Sequence, residues 1–239
     1  MAGHSKWHNI KHRKAHQDKK KGKIFTKLTK EIHQAVRQGG DDPYTNYPLK
    51  LAIDKAKQNN LPNENIERTI QKASGNVDGI DYEEITYEGY APHGVAVFVE
   101  ALTENRNRTA AEVRLQFNKN GGNLGEDGCV AFMFHRKGQL MIEKDEATDE
   151  EQLMLEAIEA GADDVQVEDE YVQIITVPDA FQDVKDSLEQ AGYAFEFAEV
   201  TQIPDIYADL DDQQAEEAHK LIEALEDLDD VQNVYHNLV

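Results

Sequence analysis

One cysteine, Cys129, occurs in 239 residues, so the chain can form no intrachain disulfide and no thiolate-rich zinc or iron–sulfur site. Tryptophan also occurs once, at Trp7, and aromatic residues make up only 8%. Cores must therefore be mostly aliphatic, and a 39% hydrophobic content at this length suggests two or three modest cores rather than one large one. Long apolar runs are missing. The longest, Cys129 to Phe134, is far below the ~20 residues of a membrane span, and the charged N-terminus lacks the apolar stretch of a signal peptide. The expectation is a soluble, cytoplasmic protein with no membrane partner. The scarcest commodity is positive charge beyond residue 75, where 9 Lys and Arg face 40 Asp and Glu.

The formal net charge of −22 repels phosphate on average, but the average conceals a dipole. Residues 1–40 carry 11 basic and 2 acidic side chains, and residues 41–75 carry 5 of each.

Residues 1–17 have Ile10 and Trp7 as their only large apolar side chains and read as a basic arm that cannot fold alone. A helix is predicted from Asp18 to Gln38, ending at Gly39-Gly40, with Ile24, Phe25, Leu28, Ile32, Ala35 and Val36 on one face. Lys20, Lys23, Lys27, Lys30 and Arg37 form a cationic stripe on the other. Thr45 or Asn46 can cap a second helix with Pro48 in its first turn, and Asn63 a third that stops at Gly75. A helical domain over 18–78 results.

From Glu84 the period changes to two. Strands are predicted at Ile85 to Tyr90, Val95 to Leu102 and Cys129 to His135, with a helix from Thr109 to Asn118 capped by Asn107 or Thr109. Residues 138–204 carry a complete β-α-β-β-α-β order, with helices opened by a Thr148-x-x-Glu151 capping box and by Asp179 and ended by Gly161 and Gly192. A final amphipathic helix and the strand Val231 to Tyr235 have no sheet of their own and return to the first. The fold class is α+β and multidomain: an arm at 1–17, a helical domain at 18–78, an α/β domain from 79–137 plus 205–239, and a ferredoxin-like insertion at 138–204.

The arm and first helix are the candidate nucleic-acid interface. Lys6, Lys11, Arg13, Lys14, Lys19, Lys20, Lys21 and Lys23 interleave with His8, His12 and Trp7, the mixture that phosphate contacts and base stacking require, and Lys27, Lys30 and Arg37 continue it. The competing reading is a solvated basic tail. His4, His8, His12 and His16 recur every fourth residue, but no carboxylate precedes Asp18 and the lysines repel a cation, so no metal or other cofactor is expected. Asn105, Arg106, Asn107 and Arg108 form a second candidate patch. The Asn63, Asn65, Arg68, Gln71 helix resembles a reading helix, but Glu64 and Glu67 cancel its charge and bundle packing explains it better. The glycines of 121–128 lack the Lys-Ser/Thr of a phosphate-cradling loop and fit turns. Cys129 reads as a core residue, and no constellation supports catalysis. Residues 138–204 hold 19 acids against 2 bases and suit a basic protein surface.

Three segments, MAGHSKWHNIKHRKAHQDKKKGKIFTKLTKEI, YEGYAPHGVAVFVEALTENRNRT and GGNLGEDGCVAFMF, closely resemble the YebC/PmpR family over the whole chain. The resemblance implies an N-terminal helical domain followed by two α/β domains, one inserted. It also implies a cytoplasmic DNA-binding transcriptional regulator; relatives, a mitochondrial one included, look like translational activators at the ribosome. No catalytic residue carries over. The residues themselves lean toward a ribosome-bound, rRNA-binding factor, whereas the family description leans toward transcription. The expectation is a nucleic-acid-binding regulator of gene expression acting on DNA or rRNA, transcriptional first and translational as the alternative, with oligomeric state open.

Overall fold

A computed structural model describes residues 21–75, 79–145 and 148–238. The described chain divides into two compact units. One takes residues 21–129 and 212–234, the other 130–211 and 235–238.

The first unit opens with three helices, α1 (Lys21–Gly39), α2 (Tyr47–Gln58) and α3 (Asn63–Ser74). Their core is self-contained: Leu28, Ile32, Ala35, Val36, Leu49, Ala52, Ala56, Leu61, Ile66 and Ala73 are buried together, with Ile24, Phe25, Ile53 and Ile70 at its margin. Asn46 organises the α1–α2 corner. Its side chain accepts from Leu49 N (3.1 Å) as the N-cap of α2 and donates to the Ala35 and Gly40 carbonyls, both at 2.7 Å. A Cβ at Gly39 would sit 2.7 Å from that amide, so glycine is needed there for room, and Gly40 (φ +88°) for its left-handed turn. Asn63 does not cap α3; Pro62 precedes the helix and no side-chain cap is made.

A four-stranded sheet follows, ordered β3-β1-β2-β8, with β1 at Glu83–Tyr90, β2 at Ala96–Thr103, β3 at Asn123–Leu124 and β8 at Val231–His236. β1 and β2 are antiparallel across the Pro92–Gly94 turn, and β8 returns beside β2 as the tail required. Helix α4 (Arg106–Lys119) begins three residues before its predicted start because Asn105 supplies the cap, accepting from Arg108 N at 3.1 Å. Helix α7 (Asp212–Glu226) buries Ala218, Leu221, Ile222 and Leu225.

The second unit holds the ferredoxin-like module. Strands β4 (Phe134–Glu143), β5 (Asp164–Val167), β6 (Tyr171–Thr176) and β7 (Phe197–Pro204) lie in the order β5-β6-β4-β7, every neighbour antiparallel. Helices α5 (Glu150–Ala160) and α6 (Phe181–Gln190) supply Leu153, Ala157, Phe181, Val184 and Leu188 to a core shared with Leu140, Ile142, Val172 and Ile174. The expected strand Cys129 to His135 does not form. Val130 and Phe134 are buried while Phe132 is 70% exposed, a spacing of four that suits the short 3-10 turn Ala131–Met133, and Phe134 opens β4 against Pro204. Asp149, not Thr148, caps α5; Thr148 instead bonds Asp145. Asp179 lies in a 3-10 turn and caps nothing.

Candidate nucleic-acid interface

Of the residues expected at the interface, Lys6, Trp7, His8, Lys11, His12, Arg13, Lys14, Lys19 and Lys20 lie outside the described residues, as does the side chain of Lys21. The rest can be placed. Lys23, Lys27 and Lys30 share one face of α1, as spacings of four and three dictate, and that face is turned toward the end of α7. Lys23 Nζ donates to the Asp227 carbonyl (2.7 Å), Lys27 Nζ to Glu226 (2.7 Å) and Lys30 Nζ to Asp229 (2.9 Å). Further along the same face, Gln34 and Gln38 reach Glu84, and Arg37 pairs with Asp81 at 3.0 Å.

Asp230 is the centre of this contact. Its side chain is 4% exposed and accepts from Lys30 Nζ (2.7 Å), Arg108 Nη2 (2.7 Å), Thr109 Oγ1 (2.8 Å) and Thr103 Oγ1 (3.1 Å), while its carbonyl accepts from Leu102 N. Burial alone opposes ionisation, but the hydrogen bonds from Lys30, Arg108 and Thr109 outweigh it and hold the carboxyl well below the usual carboxylate range. Lys30 also lies 5.7 Å from the centre of the Tyr82 ring, against which His33 packs edge-on at 5.2 Å.

The second candidate patch is neutralised where it stands. Asn105 is the helix cap, Arg106 pairs with Glu83 (3.0 Å), Arg108 with Asp230, and Asn107 is exposed. On α3, Asn63 and Gln71 are exposed, and Arg68 donates to Asn65 on its own helix at 2.9 Å. The glycine-rich loop turns its amides inward: Gly125 N donates to the Glu88 carbonyl (2.8 Å) and Gly128 N to the buried Glu88 carboxylate (2.7 Å). Cys129 lies beside it, its thiol pushed up by burial and then by Glu88, which disfavours a reactive thiolate.

The residue that sequence reasoning passed over is Asp230. A signal was present: Glu226, Asp227, Asp229 and Asp230 crowd the C-terminal end of a helix, where the dipole disfavours anions, so cations had to come from elsewhere.

Among the described residues no group of three or more His, Cys, Asp and Glu is arranged to hold a metal, and no helix is long and apolar enough to cross a membrane. What the chain presents is an α+β protein in which a helical bundle carrying an N-terminal cationic segment is joined to two acidic α/β parts. It belongs to the TACO1/YebC family: residues 5–76 match the model of the TACO1/YebC N-terminal domain and residues 82–238 that of the second and third domains. It is 56% identical to the "Probable transcriptional regulatory protein GK2594" of Geobacillus kaustophilus, over 100% of this chain and 97% of that one. It is 55% identical to the "Probable transcriptional regulatory protein YrbC" of Bacillus subtilis, over 99% of each. Among solved structures, a conserved hypothetical protein of Aquifex aeolicus, Aq1575, superimposes with a TM-score of 0.78 at 48% identity, covering 91% of this chain and 90% of its own.

Proposed function

We propose that this chain is a nucleic-acid-binding regulator of gene expression, acting in the cytoplasm as a DNA-binding transcriptional regulator. The observation that carries the reading is where positive charge is concentrated along the sequence. Lys23, Lys27, Lys30, Arg37, Arg106 and Arg108 all have acceptors within the protein. Residues 1–21 hold seven Lys and Arg against the single acid Asp18, together with the only tryptophan. Such a segment neutralises phosphates through its cations and stacks a base on Trp7, while the anionic 138–204 module is kept away from nucleic acid or set against a basic protein. The names of the relatives support regulation of transcription as the setting.

The test is a binding titration of the whole protein against duplex DNA and single-stranded RNA across a salt series, with nucleic acid crosslinked in lysate then sequenced. About six phosphates neutralised give a slope of log K on log[salt] near −5. A slope flatter than about −2 for both probes sinks the reading. Discrete promoter DNA among the crosslinks supports transcription; rRNA near the arm replaces it with a translational role.

A further inference from the structure

The helical bundle closes its own core from residues 24–73. The hydrogen bonds and ion pairs that join α1 to the neighbouring sheet and α7 run along one stripe, Lys23, Lys27, Lys30, Gln34, Arg37 and Gln38. That attachment is polar apart from Tyr82, which meets Lys30 and His33, and the acceptors of Lys23 and Lys27 include main-chain carbonyls at a helix C-terminus, each carrying a partial negative charge. A phosphate oxygen is a stronger acceptor for an ammonium than a carbonyl is.

We propose that Lys23, Lys27 and Lys30 form a second polyanion-binding row, occupied by the α7–β8 turn in the free protein and taken over by nucleic-acid phosphates as α1 leaves that turn. The inference rests on the nucleic-acid-binding reading and extends it from the arm to α1. Each group released at the turn has a substitute, while Arg37 and Gln38, at the far end of α1, can keep Asp81 and Glu84. Asp230 keeps Arg108, Thr109 and Thr103 when Lys30 departs, so no buried charge is stranded. The carbonyls of Glu226, Asp227 and Asp229 pass to water, and the apolar core of the bundle travels with it. Arm and row are continuous in sequence, so phosphates gathered by residues 1–21 are delivered to Lys23 next.

The test uses the full chain with a labelled DNA duplex of about 20 base pairs and an RNA of about 20 uridines, titrated from ~50 to ~300 mM salt. Lys23→Ala/Lys27→Ala keeps the Lys30–Asp230 pair and should flatten the salt slope by about 2. Asp230→Asn weakens the turn's hold and should tighten binding about tenfold with the slope unchanged, because a closed state no longer has to be opened first. A dye pair on Gly22→Cys and Asp229→Cys, with Cys129→Ser, should separate as probe is added; Gly22 has open space around it and Asp229 is exposed. An unchanged slope in the lysine variant with constant dye separation overturns the row while leaving arm binding intact. A wild type that binds neither probe overturns the underlying reading, and the row with it.

Discussion

Asn46 and Asp230 show how single polar side chains hold this protein together. Asn46 is 4% exposed and serves one helix start and two carbonyls at the end of another helix at once. Asn46→Ala removes the cap together with two buried or half-buried hydrogen bonds to main-chain carbonyls, and we expect a loss of about 2–4 kcal/mol in urea unfolding, more than a surface cap would give. Asp230 makes its contribution to stability in a defined pH window. Its carboxyl is depressed in the folded state, so the stabilisation is complete above the ordinary aspartate value near ~4 and is lost as pH falls toward the lower folded value. Thermal melts of the wild type should therefore fall through that acid range more steeply than those of Asp230→Asn; parallel curves would show that the carboxylate is not held as described.

At the level of elements, the division between arm and α1 is the one that matters for function. Deleting residues 1–20 should leave the helical signal of α1 to α3 intact by circular dichroism, since their core lies wholly within 24–73, and should abolish binding at ~150 mM salt. A deletion running on through Lys23 would also remove a contact to α7 and confuse the two effects. Periodicity made most elements legible: the apolar stripes of α1 to α3, the β1–β2 hairpin and the β-α-β-β-α-β order all stand in the sequence as spacing. What spacing could not supply was the partner of each charge. The cationic face of α1 looks identical on a helical projection whether it faces solvent or another helix end, because its acceptors lie about 200 residues away, at Glu226 to Asp230. Caps were misplaced by a residue or more for a related reason. Asn105 and Asn107, or Thr148 and Asp149, are chemically alike as caps, and the choice falls to tertiary contacts such as Thr103 Oγ1 accepting from Asn105 N. At Val130 to Phe134 a run of apolar residues fits strand and turn alike, and burial decided it.

For the whole molecule, alkaline pH bears on both units, since burial also raises Tyr87 of the first, but most strongly on the second. Tyr171 and Tyr207 are each pushed up to about 12, chiefly by burial, with Glu168 and Tyr207 adding to the effect at Tyr171. Their folded values are raised, so the stability they contribute is full below the ordinary tyrosine value near ~10 and drains away as pH climbs toward 12. Tyr171→Phe should flatten the loss of stability between about pH 10 and 12, read by thermal melts; an unaltered pH profile would show that Tyr171 stays protonated without help from its surroundings. The return of β8 to the first sheet bears on how the protein is made. Thr103 and Asp230 are bonded across 127 residues of sequence, with the whole ferredoxin-like module translated between them. That module is contiguous and can complete its sheet while the nascent chain is still growing, whereas β2 waits with an open edge until residues 212–234 emerge. During synthesis the incomplete first sheet is thus the aggregation-prone species, and the bundle, lacking the α7 end for its lysines, spends that interval with the α1 row uncovered.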